Sequence, residues 1–226
     1  MPPRGAARLI AAFATLALTV PAAAGAATLD PLKACYVSVT PASREAVDVG
    51  GSGFAPGAIV DVAIDGAVVR TVQADALGNL PPQVLQAPHQ ARGERAFSLT
   101  AAQRGNPDNA VTLTSNVTAL NLGVWPQRAR PSRRVSFRGR GFTGAGGVYA
   151  HYLFKGRLRK TVTLTSAVAG PCGTFKARRR QIPVRHPQTG TWTLQVDQQR
   201  RYSRAPDSVF VRLSIIVQRV FRLPPR

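Results

Sequence analysis

Short runs of alternating apolar and polar residues recur along the chain. Residues 60–64 read VDVAI and residues 191–196 read TWTLQV, and larger apolar side chains occupy every second position in both runs. A two-residue period places these side chains on one face of a strand, so both runs predict half-buried β-strands. No stretch after residue 26 shows a sustained helical period. Many Val and Thr residues and regularly spaced Gly and Pro favour the same conclusion, and we expect an all-β protein.

The first 26 residues have a different pattern. Arg4 and Arg8 precede an apolar run of twelve residues, 9–20, which Pro21 and a group of small residues then follow. This order is typical of a secretory signal peptide, and the A-x-A pattern predicts cleavage after Ala26. The run is shorter than the about 20 residues that span a bilayer, and no second apolar span follows. We therefore expect a secreted, extracellular protein, free or held at the cell surface, with no transmembrane span in the mature chain.

An internal repeat divides the rest of the chain. Residues 47–54 read VDVGGSGF and residues 135–142 read VSFRGRGF, with both glycines and the phenylalanine in the same places. The paired glycines predict a bulge or bend at a strand end, and the phenylalanine is expected in the core. A phosphate cradle is the competing interpretation of the glycines, but it requires a following helix that the pattern does not show.

Each copy of the repeat is followed by a predicted strand pair. Asp65-Gly66 and Lys155-Gly156 lie at the turns of these pairs, and such dipeptides suit type I′ hairpins. About seven short strands in roughly 90 residues are typical of an immunoglobulin-like sandwich. We expect an all-β fold with two tandem Ig-like β-sandwich domains, residues 30–119 and 120–226, after a cleaved signal peptide over residues 1–26.

The repeat motif carries a family resemblance. Residues 47–57, VDVGGSGFAPG, are followed by a hairpin, a D-x-x-G-x-L element and a strand of the form G-x-x-x-F/W-x-L. This combination resembles the bacterial Ig-like domains of extracellular proteins, and residues 37–57 are also similar to the start of the neocarzinostatin-type sandwich. That second family carries internal disulfides, whereas the first half here has only Cys35, so its chromophore binding is not carried over. The resemblance implies adhesion, spacing or display outside the cell.

The net charge of +20 lies in the second half. Residues 30–119 carry six Lys or Arg and eight Asp or Glu, whereas residues 120–226 carry 22 Lys or Arg, 19 of them Arg, and two acids. The planar guanidinium of arginine pairs well with carboxylate, phosphate and sulfate groups. The sequence thus predicts binding of an anionic polysaccharide or another anionic envelope polymer, and the alternative is that the arginines only solubilise the protein.

The candidate binding residues come from four separate stretches of the second half. Residues two apart on a strand share a face, so Arg138 and Arg140 should point the same way, as should Arg157 and Arg159. Tyr149, Tyr152 and Tyr202 were expected to add stacking to this surface. The full candidate set is Arg138, Arg140, Arg157, Arg159, Arg178, Arg179, Arg180, Arg200 and Arg201.

The two cysteines of the chain, Cys35 and Cys172, lie in different halves and at non-equivalent repeat positions. In an oxidising compartment a bond between them would clamp the two domains together. An intermolecular bond or two free thiols are the alternatives, since a disulfide requires Cα atoms within about 7 Å.

The sequence shows no catalytic, metal or cofactor motif. The three histidines have none of the short spacings of zinc ligands, and His151, in a predicted strand, is expected to have a surface or ladder role. The acids of the first half lack the D-x-D-x-D-G calcium pattern. Asp197 and Asp207 have no glycosidase motif around them. We therefore expect a protein that is not an enzyme.

Three functions remain on the sequence alone. The first is a secreted binding module whose second domain holds an anionic polymer. The second is a structural envelope or adhesion protein, for which a protein partner is possible. The third is an enzyme of unknown type. A nucleic-acid-binding fold motif is absent, so no specific nucleic-acid recognition is expected.

Overall fold

The structure is a computed structural model that describes residues 26–218. These residues form fifteen β-strands and no helix, which confirms the prediction of an all-β protein. The predicted signal peptide, residues 1–26, lies outside the described residues except for Ala26.

The first half contains two sheets, with strand orders β1-β3-β6 and β2-β8-β7-β4-β5. Every pair is antiparallel except β2 with β8, which is parallel. The strands are β1 (Thr28–Leu29), β2 (Cys35–Ser38), β3 (Ala46–Ser52), β4 (Ile59–Ile64), β5 (Ala67–Gln73), β6 (Leu80–Gln86), β7 (Glu94–Gln103) and β8 (Asn106–Ala119).

The second half also contains two sheets, with strand orders β9-β10-β13 and β12-β11-β14-β15, and all of its pairs are antiparallel. The strands are β9 (Asn121–Trp125), β10 (Arg134–Arg140), β11 (Val148–Phe154), β12 (Arg157–Thr165), β13 (Phe175–Arg180), β14 (Gly190–Asp197) and β15 (Val211–Val217).

Each half encloses its own apolar cluster between its two sheets. In the first half the alternating residues Val60 and Val62 of β4 are fully buried. In the second half Phe137 of β10 and Leu194 of β14 are fully buried in the same way. Each such side chain removed from water contributes about 1.5–3 kcal/mol to folding. The two-residue period of the sequence is therefore the feature that selects the inward face of each strand.

The strand order is repeated between the halves. The sheet β1-β3-β6 corresponds to β9-β10-β13, and β8-β7-β4-β5 corresponds to β15-β14-β11-β12. The first half has the additional strand β2. The same two-sheet strand order therefore occurs twice in the described residues.

The repeat motif has the same structure in both halves. Phe54 and Phe142 are buried, as the sequence predicts. Gly53 and Gly141 precede them with φ of 85° and 90°, a conformation that costs other residues about 1 kcal/mol or more. The N–H of Phe54 donates to the carbonyl of Gly78 at 3.1 Å, and the N–H of Phe142 donates to a glycine at the matching position, at 3.2 Å. The motif therefore ties the end of one strand to the start of another.

The predicted hairpin turns are confirmed. Asp65 and Gly66 both have positive φ, 51° and 81°, and Lys155 and Gly156 have 49° and 73°. Positive φ at both central residues is the property of a type I′ turn. A register shift lies between Val49 and Gly51 in the pairing of β3 with β6, which places a bulge at the glycines of the first copy.

A disulfide joins the two halves. Cys35 begins β2, Cys172 lies between β12 and β13, and their Cα atoms are 5.1 Å apart. Both cysteines are buried. The N–H of Gly141 donates to the carbonyl of Cys172 at 3.0 Å. A guanidinium nitrogen of Arg140 lies 3.5 Å from a carboxylate oxygen of Glu94 across the junction. The disulfide is thus the covalent element of the junction.

Candidate anion-binding face

The candidate site is the outer face of the sheet β9-β10-β13. In β10 the side chains of Val135 and Phe137 point into the core, and Gly139 is buried beside the ring of Phe175. The alternate residues Arg138 and Arg140 therefore point outwards, as the sequence predicts for this pair.

The neighbouring strand β13 continues the same face. Phe175 and Ala177 are buried, so Lys176, Arg178 and Arg180 are exposed on the outside. Because the apolar residues of β13 alternate with cations and point into the core, these three cations all face outwards.

The register between β10 and β13 sets cations directly opposite one another. Arg134 is paired with Arg180, and Arg138 is paired with Lys176. Neighbouring strands are about 5 Å apart and alternate residues along a strand are about 7 Å apart, so the cations form a grid. We call the following six residues the basic face: Arg134, Arg138, Arg140, Lys176, Arg178 and Arg180.

Within the described residues, five of the six cations of the basic face have no acidic partner. The first half behaves differently, since three of its cations have carboxylates within 2.9 Å: Lys33 with Glu45, Arg95 with Asp65, and Arg104 with Asp61. Within residues 26–218 the only basic-face residue in an ion pair is Arg140, with Glu94. Directly opposed like charges on neighbouring strands are destabilising. The face is therefore a concentrated positive charge that an external anion would neutralise.

Arg179 has a different position from its neighbours in sequence. It lies on the opposite side of β13, and its guanidinium donates to the carbonyls of Thr163 and Leu164 in β12, both at 3.0 Å. It therefore holds the edges of the two sheets together. A shallow groove of about 310 Å³ runs along this edge, and it is lined by Arg134, Val162, Arg178, Arg179, Arg180 and Pro183.

The other predicted arginines lie on other elements. Arg157 and Arg159 are exposed on the edge strand β12 of the larger sheet. Arg200 and Arg201 are exposed in the loop that follows β14. The structure thus places four of the nine candidates, Arg138, Arg140, Arg178 and Arg180, on one sheet face.

The expected tyrosine stacking is not a property of this face. Tyr152 is buried in the core, and burial raises its pKa above the ordinary range. The ring of Tyr202 packs against that of His151 with centroids 5.7 Å apart.

The exposed aromatic residue of the face is Trp125, which is not among the candidates that the sequence pattern gave. It ends β9, lies opposite Ser136 of β10, and is 72% exposed. The sequence feature that could have identified Trp125 is the alternation in β9. Leu122 and Val124 pack against the core, so Trp125 must face outwards. A shallow groove of about 470 Å³ adjoins it, and it is lined by Gly123, Val124, Trp125, Gln127, Ser136 and Arg138.

A second polar cluster lies on the larger sheet of this half. His151 was expected at the surface, but it has no exposed area, because the loop after β14 covers it. Its Nε2 lies 3.2 Å from a carboxylate oxygen of Asp197 and 3.0 Å from the carbonyl of Gln199. Both neighbours are acceptors, so Nε2 carries the proton and donates. The amide of Gln195 donates to the same carboxylate at 2.7 Å.

This cluster has the connectivity of a catalytic triad without its access to substrate. The hydroxyl of Thr161 lies 2.9 Å from Nδ1 of His151. A triad histidine must transfer its proton to a leaving group, and a ring with no exposed atom does not meet one. The cluster therefore fixes the loop after β14 to the sheet.

The pKa of Asp197 reflects this packing. Burial raises the pKa of the carboxyl, but hydrogen bonds from His151, Gln195 and the N–H of Gln199 outweigh it and bring the pKa below its ordinary value. Asp197 is therefore ionised at neutral pH. The ionised Asp197 therefore stabilises the folded protein at pH values above the unfolded-state pKa of about 4. This contribution to the free energy of unfolding is lost as the pH falls through the lower folded-state pKa.

Replacing Asp197 by Asn should lower the free energy of unfolding by about 2 kcal/mol at pH 7, since a buried acceptor of charge-assisted hydrogen bonds is lost. The difference from wild type should shrink as pH falls below about 4. Urea unfolding at pH 7, 5 and 3 measures both. Asp207→Asn, in the same loop but exposed, is the control and should change stability by less than about 0.5 kcal/mol. A pH-independent difference for Asp197→Asn would contradict the assignment.

Residues 26–218 contain neither a metal-ligand cluster nor a membrane-spanning helix. No three His, Cys, Asp or Glu side chains come together there as a set of metal ligands. The same residues include no helix with the length and apolar character to cross a membrane.

These features define an all-β protein with an arginine-rich sheet face. No protein-family model matches the chain, and no curated protein sequence matches it. Among solved structures it is similar to the human OSCAR ligand-binding domain, with 13% identity, a TM-score of 0.33, and coverage of 84% of this chain and 96% of that one. It is also similar to a β-glucuronidase of Parabacteroides merdae, with 8% identity and a TM-score of 0.30, over 84% of this chain and 24% of the glucuronidase. At these TM-scores neither likeness carries an argument about function.

Proposed function

We propose that the chain is a secreted, non-enzymatic module that binds an anionic polymer of the cell envelope, such as an acidic polysaccharide, through the basic face. In this proposal residues 30–119 and 120–226 are two tandem Ig-like sandwich domains. The first domain acts as a spacer or interaction domain, and the second holds the polymer.

The opposed cations of β10 and β13 carry this proposal. Arg134 against Arg180 and Arg138 against Lys176 are unfavourable pairs in the free protein. A line of carboxylates or phosphates laid along the face would convert that repulsion into attraction. Arginines that only solubilise the protein need not be aligned in this way, since scattered exposed positions serve equally well.

Three observations support secretion and the absence of catalysis. Residues 1–26 have the signal-peptide pattern, and strand β1 begins at Thr28, two residues beyond the proposed cleavage point. A disulfide such as Cys35–Cys172 persists in an oxidising compartment. The one histidine–carboxylate pair of the described residues, His151 with Asp197, is fully buried.

The affinity of the full chain without residues 1–26 for a polyanion should depend steeply on salt. We expect log K to fall linearly with log salt concentration with a slope of about −3 to −4, because four or five cations each release somewhat less than one counterion. Titrations with polygalacturonate and with a teichoic-acid-type polyphosphate, each at several salt concentrations, measure the slope. Dextran is the uncharged control and should not bind.

Two outcomes would overturn the proposal. The absence of binding to every polyanion at physiological salt would show that the arginines are compositional. Binding with a flat salt dependence would point to a protein-like or apolar recognition mode instead of ion pairing.

A further inference from the structure

Trp125 is an unusual surface residue for this protein. The chain has two tryptophans, and the other one, Trp192, is 2% exposed and donates from its indole N–H to the carbonyl of Gln188 at 2.9 Å. Trp125 leaves 72% of its surface in water at the end of β9. A large exposed aromatic surface is unfavourable in the free protein and is characteristic of binding sites.

The sequence leaves open space beside this indole. Gly123 is two residues before Trp125 on the same face and stands opposite Arg138. A Cβ at Gly123 would meet only the carbonyl of Arg138, at 3.9 Å, so the backbone does not require glycine there. The absent side chain is what forms the groove of about 470 Å³, a size within the range of small-ligand pockets.

The remaining groups around the groove are polar. Arg138 contributes a guanidinium and Gln127 an amide. The hydroxyl of Ser136, between Trp125 and Arg178 in the strand register, is covered and has no hydrogen-bond partner within the described residues. Arg138 and Gln127 are therefore the polar groups that a ligand in the groove reaches.

We propose that this groove binds one uronic-acid unit of an acidic polysaccharide. The apolar C–H face of the sugar packs on the indole of Trp125, because the face of the indole carries negative charge density that attracts the C–H hydrogens. The carboxylate pairs with the planar guanidinium of Arg138, and the sugar hydroxyls meet the amide of Gln127. The inference rests on the proposed function and names the ligand class of the same face, with the rest of the basic face binding the following acidic units.

A single aromatic platform favours a sugar over a single-stranded nucleic acid. Proteins that bind single strands stack successive bases on successive aromatic side chains. Among the described residues of β9, β10 and β13, Trp125 is the only large apolar side chain with such exposure. The face therefore offers one aromatic surface, Trp125, and beyond it only cations. Such a site suits a polymer in which one sugar ring stacks on Trp125 and the carboxylates of the following units pair with the cations.

Intrinsic fluorescence isolates this site, because Trp192 is buried and Trp125 is exposed. The full chain without residues 1–26 is titrated with polygalacturonate, with its methyl-esterified form, with polyphosphate and with a single-stranded DNA oligonucleotide. We expect a blue shift of the emission with polygalacturonate. We expect none with polyphosphate, which carries charge without a sugar ring, and weaker binding of the esterified polymer, which keeps the ring without the charge.

Variants then separate the contribution of the groove to the binding affinity from the contribution of the positive charges. Trp125→Ala should lower the affinity for polygalacturonate about tenfold, the loss expected for one stacked aromatic, and leave that for polyphosphate unchanged. Trp125→Tyr should keep most of the wild-type affinity for polygalacturonate. Gly123→Leu should block the groove while every charge is retained, and the nearest atom to its Cβ is the carbonyl oxygen of Arg138 at 3.9 Å.

The outcomes distinguish this inference from the proposed function. If Trp125→Ala and Gly123→Leu bind polygalacturonate as wild type does while salt still abolishes binding, the sugar site is wrong and the basic face stands. A Trp125-dependent preference for the oligonucleotide would also overturn the sugar assignment. If none of the polyanions binds, the proposed function and this inference fail together.

Discussion

Replacing both Cys35 and Cys172 by alanine should lower the free energy of unfolding by about 2–4 kcal/mol. The bond closes a separation of 137 residues, which spans most of the first half and about half of the second. A crosslink over such a length removes much of the freedom of the unfolded chain. The ion pair of Arg140 and Glu94 across the same junction is half exposed on both sides, so it adds little to the coupling.

We also expect the loss of the disulfide to uncouple the two halves. Both tryptophans, Trp125 and Trp192, lie in the second half, so their emission reports its unfolding. Far-ultraviolet circular dichroism reports both halves. The two denaturation curves should coincide in the oxidised chain and separate in the double variant, since multidomain chains without strong coupling unfold in steps.

Reduction of the wild-type protein is the matched control for this experiment. It breaks the bond while it keeps both sulfur atoms in place, so it should produce the same shift without the small cavities left by alanine. The reductant should have no effect on the double variant. A change of less than about 0.5 kcal/mol on reduction would show that the bond does not stabilise the protein by constraining the unfolded chain.

The elements of this fold were predictable because they depend on local information. The two-residue period assigned Val60–Ile64 and Thr191–Val196 to strands, and both lie within observed strands. The glycines at 66 and 156 located two hairpin turns, since φ at these positions is positive. The shared face of Arg138 and Arg140 follows from the same period.

The composition of the site depends on long-range register, which the sequence does not reveal. Arg138 stands opposite Lys176 and Gly123 only because β10 pairs with β13 on one side and β9 on the other. A one-residue slip in either pairing would move the opposing side chains to the other face. Arg179 illustrates the limit, because it lies between two exposed arginines in sequence and yet binds the carbonyls of another sheet.

The buried position of His151 was unpredictable for a related reason. His151 alternates along β11 with Ala150 and Tyr152 of the core, so the strand period alone directs its side chain away from the core. The loop after β14 covers that side of the sheet, and Asp197 and Gln195 supply the polar partners that make burial of the ring tolerable. A loop that folds back onto a sheet leaves no periodic signal in the sequence.

Replacing Arg134, Arg138, Arg178 and Arg180 together by glutamine should lower the affinity for the tightest-binding polyanion on the order of 100-fold. Exposed ion contacts contribute about 0.2–1 kcal/mol each, so four give about 3 kcal/mol, and 1.4 kcal/mol corresponds to a tenfold change. The same titrations in salt should show a slope that is flatter by about 3. None of these four guanidinium groups has a hydrogen bond within the described residues, and removal of opposed charges should leave the protein at least as stable as wild type.

The matched control removes the same charge from other elements. Arg157, Arg159, Arg200 and Arg201 are exposed outside the basic face, and their replacement by glutamine changes the net charge by the same amount. If recognition depends on the grid formed by β10 and β13, this control should lose less than about threefold in affinity, because at longer range the remaining charges are screened by salt. Equal losses in the two variants would mean that the polymer responds to the overall charge of the second half and that the aligned face has no special role.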